Sequence, residues 1–188
     1  RLLPTYDVFD EDRYFEPGDR AVVIDVPSSS PLPAGGGRGV GSAASGSAPD
    51  SLLVGLSICE DLWKGEDAGF SHRYDAAPDP VPALIAQGAR VIVSPSASPF
   101  VLGKHAKHRD ICIAHARRHK CFVASVNQGG ANDDLIFDGH AFVVAPDGTT
   151  LAAAPLFGDG LFVVDIPSTS SSAARGPITP EPCDEHQL

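Results

Sequence analysis

The chain has 188 residues, a hydrophobic share of 43% and a formal net charge of −10. The apolar content is sufficient for the core of one ordinary domain, and the negative charge argues against nucleic acid or an anionic membrane as a partner. No apolar run approaches the roughly 20 residues that span a bilayer. The four cysteines form no CxxC pair, which favours reduced thiols in a cytoplasmic protein over a zinc site or a disulfide framework.

The first predicted strands flank a segment of unusual composition. Residues 21–26, AVVIDV, predict a short strand, and residues 51–58 predict a continuous apolar strand of the kind buried on both faces. Between them, residues 27–50 consist mainly of Gly, Ser, Ala and Pro. We interpret this segment as a low-complexity insertion within one domain, with a linker between two domains as the alternative.

Helix and strand predictions alternate through the middle of the chain. The run DPVPALIAQGA predicts a short helix closed by Gly88, and RVIVSPS predicts the next buried strand. Residues 99–120 predict a helix whose Lys, Arg and His side chains are largely solvated. The run CFVASVN predicts a further strand. This alternation indicates an α/β protein.

The last predicted elements are antiparallel. Residues 139–154 predict a hairpin that turns at Asp147 and Gly148, and residues 160–166, GLFVVDI, predict a final strand. Residues 167–188 are rich in Ser, Ala, Pro and acids and predict a disordered tail. The sequence therefore predicts one α/β domain with mixed sheets over residues 1–166.

Cys59 lies where a buried strand meets a short polar run, EDLW. In α/β enzymes this strand-to-turn position presents nucleophiles, and backbone N–H groups beyond the strand can hold an oxyanion. A helix start there would also lower the thiol pKa. An inert, buried structural cysteine is the alternative interpretation.

Other residues are weaker candidates for chemistry when judged by pattern alone. Four histidines share one predicted helix, and they permit a papain-like base or a metal site through two of them: His105, His108, His115 and His119. We expect these histidines to lie on a solvated face of the helix and to bind no metal ion. The aromatic and acidic run around Pro4, including Asp10 and Glu11, and the polar ends of two strands, SPSAS and VNQGG, are compatible with substrate contacts or with ordinary turns.

Taken in order, five blocks of the sequence resemble the nitrilase superfamily, and within it the glutamine-hydrolysing domain of glutamine-dependent NAD synthetases. The blocks are LPTYDVFDEDRYFEPGD, VGLSICEDLW, SPSASPFVLGKHAKHRD, VNQGGANDDLIFDG and a closing DG. The resemblance implies an α-β-β-α sandwich and hydrolysis of the glutamine side-chain amide by a Glu, Lys, Cys triad. It matches Cys59 to the nucleophile and Glu11 to an additional acid that supports the proton relay.

The resemblance also implies a set of substrate contacts. It matches Glu60 to the acid after the nucleophile, which would bind the substrate α-amino group, and it matches aromatic or polar pocket positions to Tyr6, Phe9, Ser96, Ser98 and Arg109. Glutamine is the implied substrate, and a fused NAD synthetase domain and a homo-oligomer are the implied partners. No cofactor is expected in this domain, because ATP and Mg²⁺ would bind only the synthetase domain.

Several features depart from the family pattern. The resemblance places the family's lysine just upstream of Arg1 and its general-base glutamate further upstream, so we expect a fragment that is inactive alone. Arg1 is one position out of register with that lysine. The chain contains no methionine and no SGGxDS phosphate loop. Another nitrilase-type amidase and a non-catalytic assembly module are the alternative functions.

Overall fold

The computed structural model describes residues 3, 10–27, 51–64, 77–158 and 160–166. These residues form two helices and a six-stranded sheet in the order β1-β2-β3-β4-β7-β8, with β5 and β6 as a separate hairpin. The elements are β1 Val22–Pro27, β2 Ser51–Leu56, α1 Pro80–Ala86, β3 Val91–Ser96, α2 Lys104–His119, β4 Phe122–Asn127, β5 Gly129–Asn132, β6 Leu135–Asp138, β7 Phe142–Val144 and β8 Thr150–Ala153. Two 3-10 turns, Glu11–Arg13 and Cys59–Leu62, accompany them.

The sheet is mixed. Strands β2, β3 and β4 run parallel to one another, whereas β1, β7 and β8 are antiparallel to their neighbours. The three parallel strands therefore end at one edge of the sheet, where ligands commonly bind in open α/β folds. The predicted α/β class with mixed sheets is confirmed.

Alternate residues of the central strands face different partners. Ile92 and Val123 belong to a buried cluster with α1 and α2, which includes Val81, Leu84 and Cys112. Their neighbours in sequence belong to a second cluster that includes Val91, Phe122, Leu52 and Ile166. Since successive side chains of a strand point to opposite faces, the two helices cover one face and residues near 166 reach the other.

A close approach explains the glycine in β2. A Cβ at Gly55 would lie 2.9 Å from the Cδ1 of Ile92 and 3.1 Å from the Cβ atoms of both Ala89 and Leu84. The glycine thus lets α1 and the loop after it sit directly on the sheet. Helix α1 begins at a cap in which the Asp79 side chain accepts the Val81 N–H at 3.1 Å, and Gly88 follows it with φ of 89°, which agrees with the predicted glycine stop.

Other predictions fall partly or wholly outside this structure. The interpretation of residues 27–50 as an insertion concerns mainly residues outside the described ranges, as does the predicted tail at 167–188. Strands β1 and β2, which flank the predicted insertion, pair with one another in the register Pro27↔Ser51. The domain boundary at residue 166 and the insertion remain predictions.

Two local predictions differ from the structure, and one hairpin was not predicted. The predicted helix 99–120 begins only at Lys104, and residues 160–166 form no strand. The unpredicted hairpin is that of β5 and β6. The predicted hairpin around Gly148 is confirmed by the pairing of β7 with β8, with Ala145 N–H bonded to Thr149 O at 2.8 Å.

Candidate active site

Cys59 lies at the carboxyl end of β2, at the start of the turn Cys59–Leu62, which we call the Cys59 turn. Its φ is 39°, in the left-handed region that costs a non-glycine residue roughly 1–3 kcal/mol. The side chain is half-buried. A strained, partly accessible cysteine at the edge where parallel strands end is the arrangement expected for a presented nucleophile.

Hydrogen bonds within the Cys59 turn set its shape. The Ile58 N–H donates to the Oδ2 of Asp61 at 3.0 Å, and the Asp61 N–H donates back to Ile58 O at 2.9 Å. The Trp63 N–H donates to Glu60 O at 2.9 Å. Asp61 was not predicted as a site residue, although its position three residues after Ile58 suits a side chain that caps a turn.

Ser96 contacts the thiol directly. Its Oγ donates to the Sγ of Cys59 at 3.1 Å, across the gap between the ends of β2 and β3. Burial raises the pKa of the Cys59 thiol, and Glu60 adds to that rise; the Ser96 bond, a backbone bond from Ala97 and the Lys104 charge oppose it. The site therefore combines a desolvated thiol with several groups that favour its ionised form.

Asn127, at the end of β4, hydrogen-bonds to the loop after β3 and to the end of β6. Its Oδ1 accepts the Ser98 N–H at 2.8 Å, and its Nδ2 donates to Ser98 O at 3.0 Å and to the Oδ1 of Asp138 at 3.0 Å. Asn127 ends β4 and Asp138 ends β6. The pair thus holds the loop that follows Ser96, including the Ala97 amide that faces the thiol. The sequence offered only a general signal for Asn127, its position at a strand end.

A small polar cleft adjoins this loop. It is lined by Ser98, Pro99, Lys104, His105, His108, Asn127, Asp138, Gly139 and His140. Burial, together with the Lys104 and His140 charges, lowers the pKa of His108 to about 4 against an opposing effect of Asp138. His108 is therefore a neutral ring at physiological pH and serves as no cationic partner to the thiol.

The histidines of α2 differ from expectation. His108 is 7% exposed and His115 is 2% exposed, so the predicted solvated face is wrong at these two positions. His108 stacks on Trp63 with ring centroids 5.4 Å apart, and the Nε2 of His115 lies 2.9 Å from Leu62 O. Both contacts join α2 to the Cys59 turn. Their helical spacing gave no signal of burial, because histidine counts as polar in such a pattern.

The structure brings together part of the predicted site. Cys59, Glu60 and Ser96 lie together. Ser98 is buried nearby, where its N–H donates to the side chain of Asn127. Glu11 lies in the 3-10 turn Glu11–Arg13, with no contact to Cys59 shown within the described ranges. Arg109 lies on α2, where its charge acts on His140. Tyr6 and Phe9 fall outside the described residues, so their roles remain predictions.

The thiols and candidate metal ligands can be assessed in the same described ranges. Cys59, Cys112 and Cys121 are free thiols, and burial raises the pKa of Cys121 to about 11. Among residues 10–27, 51–64 and 77–166 apart from 159, no group of three or more His, Cys, Asp or Glu side chains is arranged to hold a metal ion. Within these ranges, neither helix has the length and apolar character of a membrane span.

Comparison with known proteins shows which family the chain resembles. The carbon-nitrogen hydrolase family matches residues 2–175. A glutamine-dependent NAD(+) synthetase of a Synechocystis strain is 36% identical over 85% of this chain, and one of Aquifex aeolicus is 32% identical over 88%. The chain spans only about a quarter of the length of these relatives, 24% and 23%.

Solved structures agree with this placement. A glutamine-dependent NAD+ synthetase from Acinetobacter baumannii, in complex with ADP, superimposes with a TM-score of 0.61 at 27% identity, over 84% of this chain and 23% of that one. An amidase from Nesterenkonia sp. superimposes with a TM-score of 0.53 at 22% identity, over 82% of this chain and 44% of that one, which shows a shared fold. The chain therefore belongs to the carbon-nitrogen hydrolase family, in the nitrilase superfamily.

Proposed function

We propose that this chain is part of a glutamine-hydrolysing domain in which Cys59 is the nucleophile. The observation that supports the proposal most is the placement of Cys59: a half-buried thiol on a left-handed residue, at the end of a parallel strand, with Ser96 donating to its sulfur at 3.1 Å. The similarity to glutamine-dependent NAD(+) synthetases supports glutamine as the substrate.

The chemistry follows from the thiol. The general base of the family takes the proton of the Cys59 thiol, and the thiolate attacks the side-chain amide carbon of glutamine. The resulting tetrahedral oxyanion accepts hydrogen bonds from backbone N–H groups at the Cys59 turn. Collapse of that intermediate breaks the C–N bond, the base gives its proton to the leaving nitrogen, and ammonia departs from a γ-glutamyl thioester. The base then takes a proton from water, the hydroxide attacks the thioester carbon, and glutamate leaves as the proton returns to the thiol.

Residues around the thiol have distinct proposed roles. Ser96 holds the sulfur in place and stabilises the thiolate. Glu60, buried at 4% exposure, provides a carboxylate for the substrate ammonium group. Ser98 and Asn127 hold the loop that carries the Ala97 amide. The general base and lysine of the family, Glu11 as the supporting acid, and substrate contacts from Tyr6, Phe9 and Arg109 are further parts of this proposal.

The whole protein has a wider proposed activity. We infer that the ammonia is used in the ATP-dependent amidation of deamido-NAD by a synthetase domain, which would hold ATP and Mg²⁺ and would be fused to this one. The names of the relatives support this inference. No cofactor is proposed for the hydrolase domain itself.

Amide hydrolysis by the full-length protein tests the proposal. Purified protein is incubated with glutamine, and glutamate and ammonia are measured together; equal amounts of both are expected from the wild type and neither from Cys59→Ala. Asparagine and simple aliphatic amides are compared at the same concentration. Faster hydrolysis of one of those amides would overturn glutamine specificity in favour of another nitrilase-type amidase, and Cys59-independent activity would overturn the assigned nucleophile.

A further inference from the structure

The backbone of the Cys59 turn is strained, so something must hold it. A left-handed residue other than glycine persists only where surrounding contacts determine its conformation, and Cys59 has φ of 39°. The bonds inside the turn join residues three positions apart, such as Ile58 and Asp61. They fix the shape of the turn, and the bond from Ser57 N–H to Val93 O at 2.9 Å holds the chain just before the turn to β3.

A long-range hydrogen bond from α2 holds the other end of the turn. The Nε2 of His115, on α2, lies 2.9 Å from Leu62 O, and the two residues are 53 positions apart in sequence. A backbone carbonyl has no proton to give, so Nε2–H of His115 must be the donor, which also fixes the tautomer of the ring. Both residues are buried, Leu62 at 0% exposure and His115 at 2%. In this setting a carbonyl left without a donor is destabilising.

A second contact between α2 and the turn has a different character. His108 stacks on Trp63, and the Nζ of Lys104 lies 5.8 Å from the centre of the same indole ring. Ring stacking tolerates sliding, whereas a hydrogen bond to one carbonyl does not. The His115 bond is thus a directional contact that holds the end of the turn against α2.

We propose that His115 is a positioning residue for Cys59: by donating to the Leu62 carbonyl it ties the Cys59 turn to α2 and keeps the Sγ of Cys59 beside Ser96. The inference rests on the proposed function, because it assigns a role in the chemistry of Cys59. His115 does not touch the thiol, and its effect passes through the backbone of the turn.

Three variants of the full-length protein separate positioning from packing. His115→Leu fills the space without a donor, and His115→Gln places an amide N–H near the position of Nε2. His119→Leu is the matched control. His119 lies one helical turn further on α2, and its ring stacks on that of His115 with centroids 5.9 Å apart, but it does not make the bond to Leu62. For each variant, kcat and KM for glutamine and the rate of Cys59 alkylation by iodoacetamide are measured per folded protein, with Cys59→Ala as the blank.

The proposal predicts a specific pattern. His115→Leu lowers kcat by about ten- to hundredfold, the range expected for a misplacement near 1 Å, with little change in KM, and alters the alkylation rate. His115→Gln restores most of kcat, and His119→Leu behaves as wild type. Unchanged kcat and alkylation in His115→Leu, equal defects in His115→Leu and His119→Leu, or no recovery in His115→Gln would each overturn it. Alkylation needs no substrate, so a wild type that fails to hydrolyse glutamine refutes the proposed function while the placement of the thiol is still measured.

Discussion

The Oγ of Ser96 donates to the Sγ of Cys59 at 3.1 Å although the two residues are 37 positions apart in the chain. Strands β2 and β3 are parallel neighbours, so their carboxyl ends meet at one edge of the sheet and bring the two side chains together. The hydroxyl favours the ionised thiol and opposes the rise in the Cys59 pKa caused by burial. Ser96 is thus both a structural and an electrostatic partner of the candidate nucleophile.

Loss of this hydroxyl should make the thiol harder to ionise. In Ser96→Ala we expect the pKa of Cys59 to rise and kcat/KM for glutamine to fall by about ten- to hundredfold, since a hydrogen bond to a charged group contributes roughly 1.5–3 kcal/mol. The pH profile of iodoacetamide alkylation measures the pKa. Cys112 and Cys121 are buried and their pKa values are raised, and subtracting the profile of Cys59→Ala isolates the Cys59 signal from that of every other thiol.

Ser94→Ala is the matched control for this prediction. Ser94 lies two positions earlier on β3 and is also buried, but its hydroxyl pairs with Ser57 at 3.4 Å and not with the thiol. Its alkylation profile should match the wild type. An identical profile for Ser96→Ala would show that the Ser96 bond has no influence on the thiol.

A carboxylate at position 127 should destabilise the loop beside the site. In Asn127→Asp, the Nδ2 that donates to Ser98 O and to Asp138 Oδ1 is replaced by an oxygen, which faces both acceptors at about the same 3.0 Å separations. We expect the free energy of unfolding to fall by roughly 1–3 kcal/mol at neutral pH and kcat to fall with it. Urea denaturation measures the first effect.

The double variant Asn127→Asp with Asp138→Asn tests the cause. The donor then lies on residue 138, so the pair is again complementary and part of the lost stability should return. Equal stability of the single and double variants would mean that repulsion between residues 127 and 138 is not the source of the loss.

His108 should make the fold sensitive to acid. Its pKa is lowered from 6.5 to about 4 in the folded protein, so the unfolded chain binds a proton first as the pH falls. The contribution is fully present above pH 6.5 and is lost as the pH falls from 6.5 toward 4, amounting to roughly 3 kcal/mol across that window. Lys104, Asp138 and His140 supply the charges that act on the ring.

His108→Phe keeps a ring against Trp63 and removes the titration. Urea denaturation of the wild type and this variant at a series of pH values gives the difference between their stabilities. We expect the free energy of unfolding of the variant to rise relative to that of the wild type as the pH falls from 6.5 toward 4. Parallel pH dependences of the two proteins would contradict the assignment of a depressed pKa to His108.

The parts of the site that lie at strand ends could be predicted from the sequence. The apolar run before Cys59 and the run RVIVSPS indicate buried strands, and each candidate residue was placed at the end of its strand, while the family resemblance assigned Cys59 and Ser96 to one site. Strand periodicity and end position are local properties of the sequence, and packing in this fold did not override them.

Other features depend on which partner an element meets. Residues 160–166 contain the continuous apolar run of a buried strand, yet Leu161 is 87% exposed and no neighbouring strand in the described ranges pairs with them. The hairpin of β5 and β6 forms from a polar, glycine-containing run, because its two halves pair with each other. A strand requires hydrogen bonds from a second strand, and the sequence of one segment does not identify that partner.

Buried polar contacts were the least predictable. His108 and His115 read as a solvated helical face, but the ring of His115 meets Leu62 O and the ring of His108 meets Trp63. Asp61 likewise gains its role from the Ile58 N–H. Such side chains are buried because specific partners exist for their polar atoms, and those partners appear only when the chain is folded.

The site of covalent labelling by a substrate analogue identifies the nucleophile. The full-length protein is treated with a chloromethyl ketone analogue of glutamine, and the labelled peptide is identified by mass spectrometry with and without excess glutamine. We expect a single label on Cys59 that glutamine prevents and that Cys59→Ala lacks. A label on another residue, or an unmodified Cys59 in a protein inactivated by the reagent, would contradict the assignment of Cys59 as the nucleophile.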